Sequence, residues 1–201
     1  MIKAIIFDLG GVLIDWNPKY LYKQIFDNEA EMQHFLDNIC TGDWNEEQDE
    51  GRTIKEGTEI LIQKFPDHAE NIRAFYGRWE EMLGGPIEGT VEIFKELKAQ
   101  GKYKIYALTN WSAETYPIAQ KHYDFLNWFD GVVMSGAEKM RKPDPAFFQL
   151  LLDRYQLKAE EVLFIDDNFR NIKSALKMGV DSIHFISPEE LRAELVDRGG
   201  L

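Results

Sequence analysis

Three short apolar runs, AIIF, GVVM and VLFI, constrain the fold of this chain more than any other feature. None of them alternates apolar with polar side chains. Continuous apolar character over so short a length is typical of strands that are buried on both faces, as in a parallel sheet covered by helices. The runs therefore predict an α/β fold built on a parallel sheet.

The rest of the chain completes this pattern. Amphipathic helical segments such as EGTVEIFKELKAQG and DPAFFQLLLDRYQL separate the later apolar runs. An alternation of strands and helices predicts a doubly wound, Rossmann-like parallel sheet. The five predicted strands are Ala4–Phe7, Lys104–Leu108, Gly131–Met134, Val162–Ile165 and Ser182–Ile186.

A helical region interrupts the alternation after the first strand. No strand is predicted between about residues 16 and 85, where four segments have helical periodicity: PKYLYKQIF, EMQHFLDNI, TIKEGTEILIQKF and AENIRAFYGRWEEML. The turn-rich segment LGGPIEG then returns the chain to the α/β pattern and is suited to a hinge. We expect an α/β core formed by residues 1–15 and 86–201, with an all-helical domain of residues 16–85 inserted into it.

The composition limits the possible partners. The net charge of −12 disfavours binding to nucleic acid or to an anionic membrane, but local cations or a metal could still bind an anionic substrate. No apolar run approaches the ~20 residues of a membrane-spanning helix, and the N-terminal segment has no signal-peptide pattern. The single cysteine, Cys40, permits no internal disulfide and fits a reducing compartment. We predict a cytoplasmic protein that acts on a small molecule; its oligomeric state is not predicted.

Polar side chains follow the predicted strands at the edge where open parallel sheets bind ligands, beyond the carboxyl ends. Each one alone has an ordinary explanation as a turn residue, a helix cap or a surface charge. Their occurrence in order, each just beyond a strand or in the next loop, favours an active site. The residues predicted to meet at this edge are Asp8, Thr109, Asn110, Lys142, Asp166 and Asp167.

The segments that contain these residues resemble the four motifs of the haloacid dehalogenase superfamily. FDLGGVL resembles the first motif, LTN the second, KMRKPDPAFF the third and FIDDNFRN the fourth. The resemblance covers nearly the whole chain, and the helical insertion after the first motif resembles a C1-type cap. Within the superfamily, FDLGGV is most similar to metal-dependent phosphatases that act on small sugar phosphates.

The resemblance implies that Asp8 is a nucleophile that forms a covalent aspartyl-phosphate intermediate. Thr109 would bind a phosphate oxygen, Lys142 would offset negative charge, and Asn110 would orient the substrate. Trp16, Trp44 and Arg52 are predicted substrate-binding residues on the cap side.

The resemblance also implies a metal ion, most simply Mg²⁺. Several carboxylate and phosphate charges within a few Å would repel one another strongly, and a hard cation with oxygen ligands offsets them. The predicted ligands are Asp8, the backbone carbonyl of Gly10, Asp166 and Asp167.

Gly10 departs from the family pattern. Most phosphatase relatives carry an aspartate two residues after the nucleophile, which protonates the leaving group and later activates water, and Gly10 has no such side chain. Three explanations stay open. The leaving group departs easily; another donor replaces the aspartate, such as Asp15, a cap residue or the substrate; or the reaction is not phosphoryl transfer.

The third explanation is an L-2-haloacid dehalogenase, which forms an aspartyl ester, releases halide without a proton and uses no metal. The adjacent carboxylates Asp166 and Asp167 favour the phosphatase, because dehalogenases lack this pair. Burying both beside Asp8 without a cation would also cost several kcal/mol. A non-catalytic binding module is a further alternative, but it would be expected to lose Asp8 or Lys142, and both are present.

Overall fold

The computed structural model describes all 201 residues and contains a five-stranded parallel sheet with helices on both faces. The sheet order is β5-β4-β1-β6-β7, so the predicted doubly wound parallel fold is confirmed, and all five predicted strands are present with ends that differ by at most two residues. The strands of the chain are β1 (Ala4–Phe7), β2 (Ile14–Trp16), β3 (Leu83–Pro86), β4 (Lys104–Thr109), β5 (Gly131–Met134), β6 (Val162–Asp166) and β7 (Asp181–His184).

Eleven α-helices accompany these strands. None of them is long and apolar enough to cross a membrane. The helices are α1 (Lys19–Tyr22), α2 (Glu29–Asn38), α3 (Gly42–Asp49), α4 (Ile54–Lys64), α5 (Ala69–Gly77), α6 (Glu88–Gln100), α7 (Tyr116–His122), α8 (Ser135–Glu138), α9 (Pro145–Arg154), α10 (Phe169–Lys177) and α11 (Pro188–Asp197). Single 3-10 turns occur at Pro66–His68, Trp79–Met82, Asp124–Asn127 and Ala159–Glu161.

The central strand β1 is buried on both faces, as its unbroken apolar sequence predicts. Ile5 and Phe7 belong to the larger apolar cluster of the molecule, whereas Ala4 and Ile6 belong to a second cluster on the opposite face of the sheet. Both neighbours of β1 are parallel to it, with β4 on one side and β6 on the other. The carboxyl ends of these three strands therefore lie side by side at one edge.

Residues 19–82, which we call the helical insertion, contain helices α1 to α5 and pack on the larger apolar cluster. Local capping explains where three of these helices begin. The side chains of Asn28, Thr41 and Thr53 accept hydrogen bonds from backbone N–H groups in the first turns of α2, α3 and α4. The caps satisfy donors that the helices themselves leave unpaired.

Two features of this region differ from the sequence-based expectation. The prediction of no strand between residues 16 and 85 is wrong at its margins, because β2 and β3 pair antiparallel where the chain enters and leaves the helical insertion. These strands are only three and four residues long, and β3 (LGGP) has no apolar alternation to mark it. Helix α3 was not predicted either, since its sequence GDWNEEQD has one large apolar residue and hence no apolar stripe.

Candidate active site

A buried lysine lies between two carboxylates at the edge formed by β1, β4 and β6. Lys142 Nζ is 2.9 Å from Asp8 Oδ1 and 2.7 Å from Asp166 Oδ2. Lys142 and Asp166 are fully buried, and Asp8 is 8% exposed. Buried charges persist in a protein only when they are paired, so these three side chains form one electrostatic unit.

Neighbouring groups fix the orientation of both carboxylates. Asp8 Oδ1 accepts a hydrogen bond of 2.7 Å from the backbone N–H of Leu9. Asp166 Oδ1 accepts one of 2.7 Å from the N–H of Asn168, and Asn171 Nδ2 lies 3.0 Å from both Asp166 oxygens. Asp166 is thus held by several donors at once, whereas Asp8 Oδ2 makes no hydrogen bond within the protein.

The residues at the end of β4 have two different environments. Asn110 clamps the backbone of Lys142: its Oδ1 accepts from the Lys142 N–H at 2.9 Å, and its Nδ2 donates to the Lys142 carbonyl at 3.0 Å. Asn110 also lines the cavity described below, so its predicted role in orienting the substrate stays a prediction. Thr109 is fully buried, and its hydroxyl has no hydrogen-bond partner in the protein.

Burial and charge oppose each other in this unit. Burial raises the pKa of Asp8, and the charge of Lys142 resists that rise. Burial disfavours the Lys142 ammonium, but the charges of Asp166 and Asp8 outweigh it and raise the lysine pKa. The pKa of Asp167 is raised, first by burial and then by the charge of Asp166. One ammonium therefore does not satisfy the three carboxylates.

Three carboxylates converge closely enough to hold a cation. Oxygen atoms of Asp8, Asp166 and Asp167 all lie within 4.8 Å of one another. Gly11 makes room for one of them, because a Cβ atom at that position would overlap the Asp167 carboxylate, and its φ of +74° also favours glycine. Hard oxygen donors with an excess of negative charge suit Mg²⁺, so the residues fit the predicted metal.

A cavity of about 230 Å³ opens over these carboxylates, between the edge of the sheet and the helical insertion. Asp8, Gly10 and Asp167 form part of its lining. The remaining wall combines aromatic and polar side chains. The aromatic members are Trp16, Tyr76, Trp79 and Trp111, and the polar members include Asn45, Asp49, Asn110 and Thr115.

Of the three side chains predicted to bind substrate, only Trp16 lines this cavity. Trp44 is 7% exposed, and its indole N–H donates to the Gly57 carbonyl at 3.1 Å inside the helical insertion. Arg52 pairs with Glu47 and donates to Gln48 Oε1. Trp44 and Arg52 therefore stabilise the helical insertion and are not brought to the cavity.

Several residues of the site were missed from the sequence. Asn171 lies within the FIDDNFRN segment, five residues after Asp166 and in the first turn of α10, so its place in this segment was a usable signal. Asn45 and Asp49 lie four residues apart on α3 in a run of polar residues that carries no motif. Tyr76 and Trp79 have the periodicity of ordinary core residues. Their role at the cavity depends on tertiary packing.

Comparison with known proteins agrees with this geometry. The sequence model of the haloacid dehalogenase-like hydrolase family matches residues 2–179. The chain belongs to this family. The family and the enzyme class predicted from the sequence, a hydrolase, are both confirmed.

Two fungal relatives illustrate the range of the family. The sesquiterpene phosphatase astK of Aspergillus oryzae is 30% identical over 189 residues, which cover 90% of this chain and 89% of that protein. Drimenol cyclase drtB of Aspergillus calidoustus is 27% identical over 199 residues, which cover 98% of this chain. The match spans only 36% of the cyclase, so that relative contains much additional sequence.

Solved structures share the fold. The HAD family enzyme bt-2542 of Bacteroides thetaiotaomicron, in complex with magnesium and inorganic phosphate, is 25% identical with a TM-score of 0.68, and the match covers 93% of this chain and 96% of that one. The L-2-haloacid dehalogenase of Xanthobacter autotrophicus has a TM-score of 0.64 at 20% identity, with coverage of 98% and 83%. The second likeness is one of fold alone.

Proposed function

We propose that this hydrolase is a Mg²⁺-dependent phosphatase that acts on a small phosphate monoester through an aspartyl-phosphate on Asp8. The observation that carries the proposal is the imbalance of charge at the sheet edge. Three carboxylates have oxygens within 4.8 Å of one another, and the Lys142 ammonium contacts two of them, Asp8 and Asp166. A halide-releasing site needs no such excess of negative charge, whereas a metal-assisted phosphatase does.

The roles of the protein groups follow from their contacts. The Asp8 carboxylate attacks phosphorus, and the bond from phosphorus to the ester oxygen breaks as that oxygen takes a proton. Water then attacks the phosphorus of the aspartyl-phosphate, which releases phosphate and restores Asp8. Lys142 holds Asp8 in place and offsets its charge. The unpartnered hydroxyl of Thr109 is available to donate to a phosphate oxygen.

The ion would be held by Asp8, the Gly10 carbonyl and Asp167, with Asp166 beside them. It would supply positive charge that lets an anionic nucleophile approach an anionic phosphate. Mg²⁺ with phosphate in the bt-2542 complex supports this assignment, since that enzyme shares the fold over nearly its whole length.

The cavity supports a small substrate with a ring or an apolar group. Its volume of about 230 Å³ lies below the 300–1,000 Å³ of typical drug-sized sites, and four aromatic side chains form part of its wall. Such walls pack against a sugar ring or a short hydrocarbon. The astK relative, named as a sesquiterpene phosphatase, supports testing apolar esters beside sugar phosphates. We propose that residues 16–85 act as a cap over this cavity and that residues 1–15 and 86–201 form the catalytic core.

The test is a hydrolysis screen with purified protein, in Mg²⁺ and in chelator. The substrates are p-nitrophenyl phosphate, sugar 1-phosphates, short-chain alkyl phosphates and L-2-chloropropionate. We expect phosphate release that requires Mg²⁺ and is abolished in Asp8→Asn, while the variant keeps the wild-type circular dichroism spectrum.

The opposite pattern would identify the alternative. Release of chloride in chelator, lost in Asp8→Asn, with no phosphate released from any ester, would make the protein a dehalogenase. Wild-type rates in Asp8→Asn would remove Asp8 from either mechanism.

A further inference from the structure

The reaction proposed above needs an acid, because an alkyl ester leaves as a high-energy alkoxide unless its oxygen is protonated. The carboxylates at the sheet edge are poor candidates. Asp8 is the proposed attacking group, Asp166 is held by Lys142 and Asn171, and Asp167 would be a ligand of the proposed cation. A proton donor must come from elsewhere in the wall of the cavity.

Asp15 is the carboxylate nearest to Gly10 in sequence, but it does not serve this purpose. It lies on β2, where its Oδ2 accepts a hydrogen bond of 2.5 Å from the Tyr20 hydroxyl. Its carboxylate also packs against Gly84 on the paired strand, since a Cβ at Gly84 would overlap it. Asp15 is not among the residues that line the cavity.

Asp49 is the carboxyl that lines the cavity outside the cluster at the sheet edge. It is the last residue of α3 and belongs to the helical insertion. Asn45, one turn earlier, donates from Nδ2 to Asp49 Oδ2 at 2.8 Å. The Tyr76 hydroxyl donates to Asn45 Oδ1 at 2.9 Å, which fixes the direction of the amide. All three side chains line the cavity, so a hydrogen-bonded chain presents Asp49 there.

We propose that Asp49 is the general acid and base of this enzyme and performs from the helical insertion the proton transfer that Gly10 cannot. The inference rests on the phosphatase function proposed above. In the first step the Asp49 O–H bond breaks and its proton passes to the ester oxygen as the bond to phosphorus breaks. In the second step the Asp49 carboxylate takes a proton from the attacking water, which returns Asp49 to its acid form.

Contacts across the interface hold α3 on the core. Glu46 pairs with Arg141 and with Arg170, and the Ser135 hydroxyl donates to the backbone carbonyl of Asp49. Arg141 directly precedes Lys142 in the chain. One short loop therefore carries both the Lys142 ammonium and the arginine that holds α3, the helix of Asp49, on the core. The position of Asp49 is therefore tied to closure of the helical insertion on the core.

The surroundings of Asp49 keep its acid form populated near neutrality. Burial raises the pKa of Asp49 to about 7. The charge of Glu46 raises it further, whereas Arg141, Asn45 and the Ser112 backbone lower it. Burial raises the pKa of the facing Tyr76 hydroxyl, so that group stays neutral. Because the acid form must donate, turnover of alkyl esters should fall as pH rises through about 7.

The experiment compares two leaving groups in Asp49→Asn. p-Nitrophenolate is stable as an anion and needs little protonation, whereas an alkoxide needs it. We expect kcat/KM for an alkyl phosphate to fall by ~10²–10⁴-fold and that for p-nitrophenyl phosphate to fall by less than ~10-fold. Asp43→Asn, an exposed position on the same helix, is the matched control and should change neither rate.

A second variant tests the role of the missing carboxylate directly. A Cβ at Gly10 would meet no atom within 4 Å, so Gly10→Asp can be built into the Asp49→Asn background. We expect it to recover at least ~10-fold of the lost alkyl phosphatase rate. The wild-type pH profile needs no variant: the decline near pH 7 should appear with the alkyl ester and be weak with p-nitrophenyl phosphate.

Three outcomes would overturn the assignment. Asp49→Asn with equal losses on both esters would indicate a structural role, and unchanged rates on both would remove Asp49 from the reaction. Identical wild-type pH profiles for the two esters would also contradict it, even if the variant failed to fold. Absence of phosphatase activity in the wild type would instead refute the function on which the inference depends.

Discussion

Lys142→Met tests whether the buried ammonium balances the charge of the site. Methionine keeps most of the volume of the side chain, which packs near the Phe164 ring, and removes the charge together with the N–H donors of the ammonium. Lys142 Nζ lies 2.9 Å from Asp8 and 2.7 Å from Asp166, and none of the three side chains is more than 12% exposed. Removing one partner of a buried ion pair typically destabilises by about 3–5 kcal/mol, because the remaining charge is left uncompensated. We expect the free energy of unfolding of Lys142→Met to be lower than that of the wild type by an amount in this range.

The assay is equilibrium denaturation by urea at pH 8 in chelator, with Lys121→Met on the exposed side of α7 as the control. Saturating Mg²⁺ should restore more stability to Lys142→Met than it adds to the wild type, because the cation then meets an unneutralised set of carboxylates. A loss below about 1 kcal/mol in chelator would show that the lysine is not required to balance the buried carboxylates. If Mg²⁺ increased the free energy of unfolding equally in the variant and the wild type, the lysine and the cation would act on separate charges.

The remaining predictions concern the metal and the cavity. Gly11→Ala should weaken Mg²⁺ binding by at least ~10-fold in a calorimetric titration, because its Cβ would displace the Asp167 carboxylate. Gly10→Ala, with open space at its Cβ, should change the affinity for Mg²⁺ less. Equal Mg²⁺ affinities in the two variants would contradict this reasoning. Trp16→Ala should raise KM more than it lowers kcat, since Trp16 lines the cavity away from the reacting carboxylates; a kcat effect alone would count against a binding role.

The sheet and the cluster of polar residues at its edge were predictable because their signals are local. Ala4–Phe7 is apolar at every position, and Asp8 follows it directly, so one short stretch predicts both a buried strand and a carboxylate at its end. The same reasoning located Lys142 and the Asp166–Asp167 pair at this edge. A fixed strand direction converts sequence position into spatial position, because parallel strands end together.

The wall of the cavity was not predictable in the same way. Trp16 precedes the helical insertion and Trp44 lies on its helix α3, and nothing in the sequence distinguishes these tryptophans, yet Trp44 packs inside the insertion and only Trp16 of the two lines the cavity. Asp49 lies in an acidic run where any carboxylate could have been a surface charge. Which side of a helix meets the core depends on how the helix docks, and α3 is docked by ion pairs from Glu46 to distant arginines that no short motif records.

The division of the site between two chain segments has an evolutionary consequence. The proposed nucleophile and metal ligands lie at the ends of β1 and β6, and Lys142 lies in the loop before α9. Asp49, Tyr76 and Trp79 instead come from a helical insertion that leaves and rejoins the sheet through the β2–β3 pair. Recombination at these two neighbouring strands would exchange the proposed proton donor and much of the cavity wall in one event. Descendants could then acquire new leaving groups while they inherit the phosphoryl-transfer chemistry unaltered.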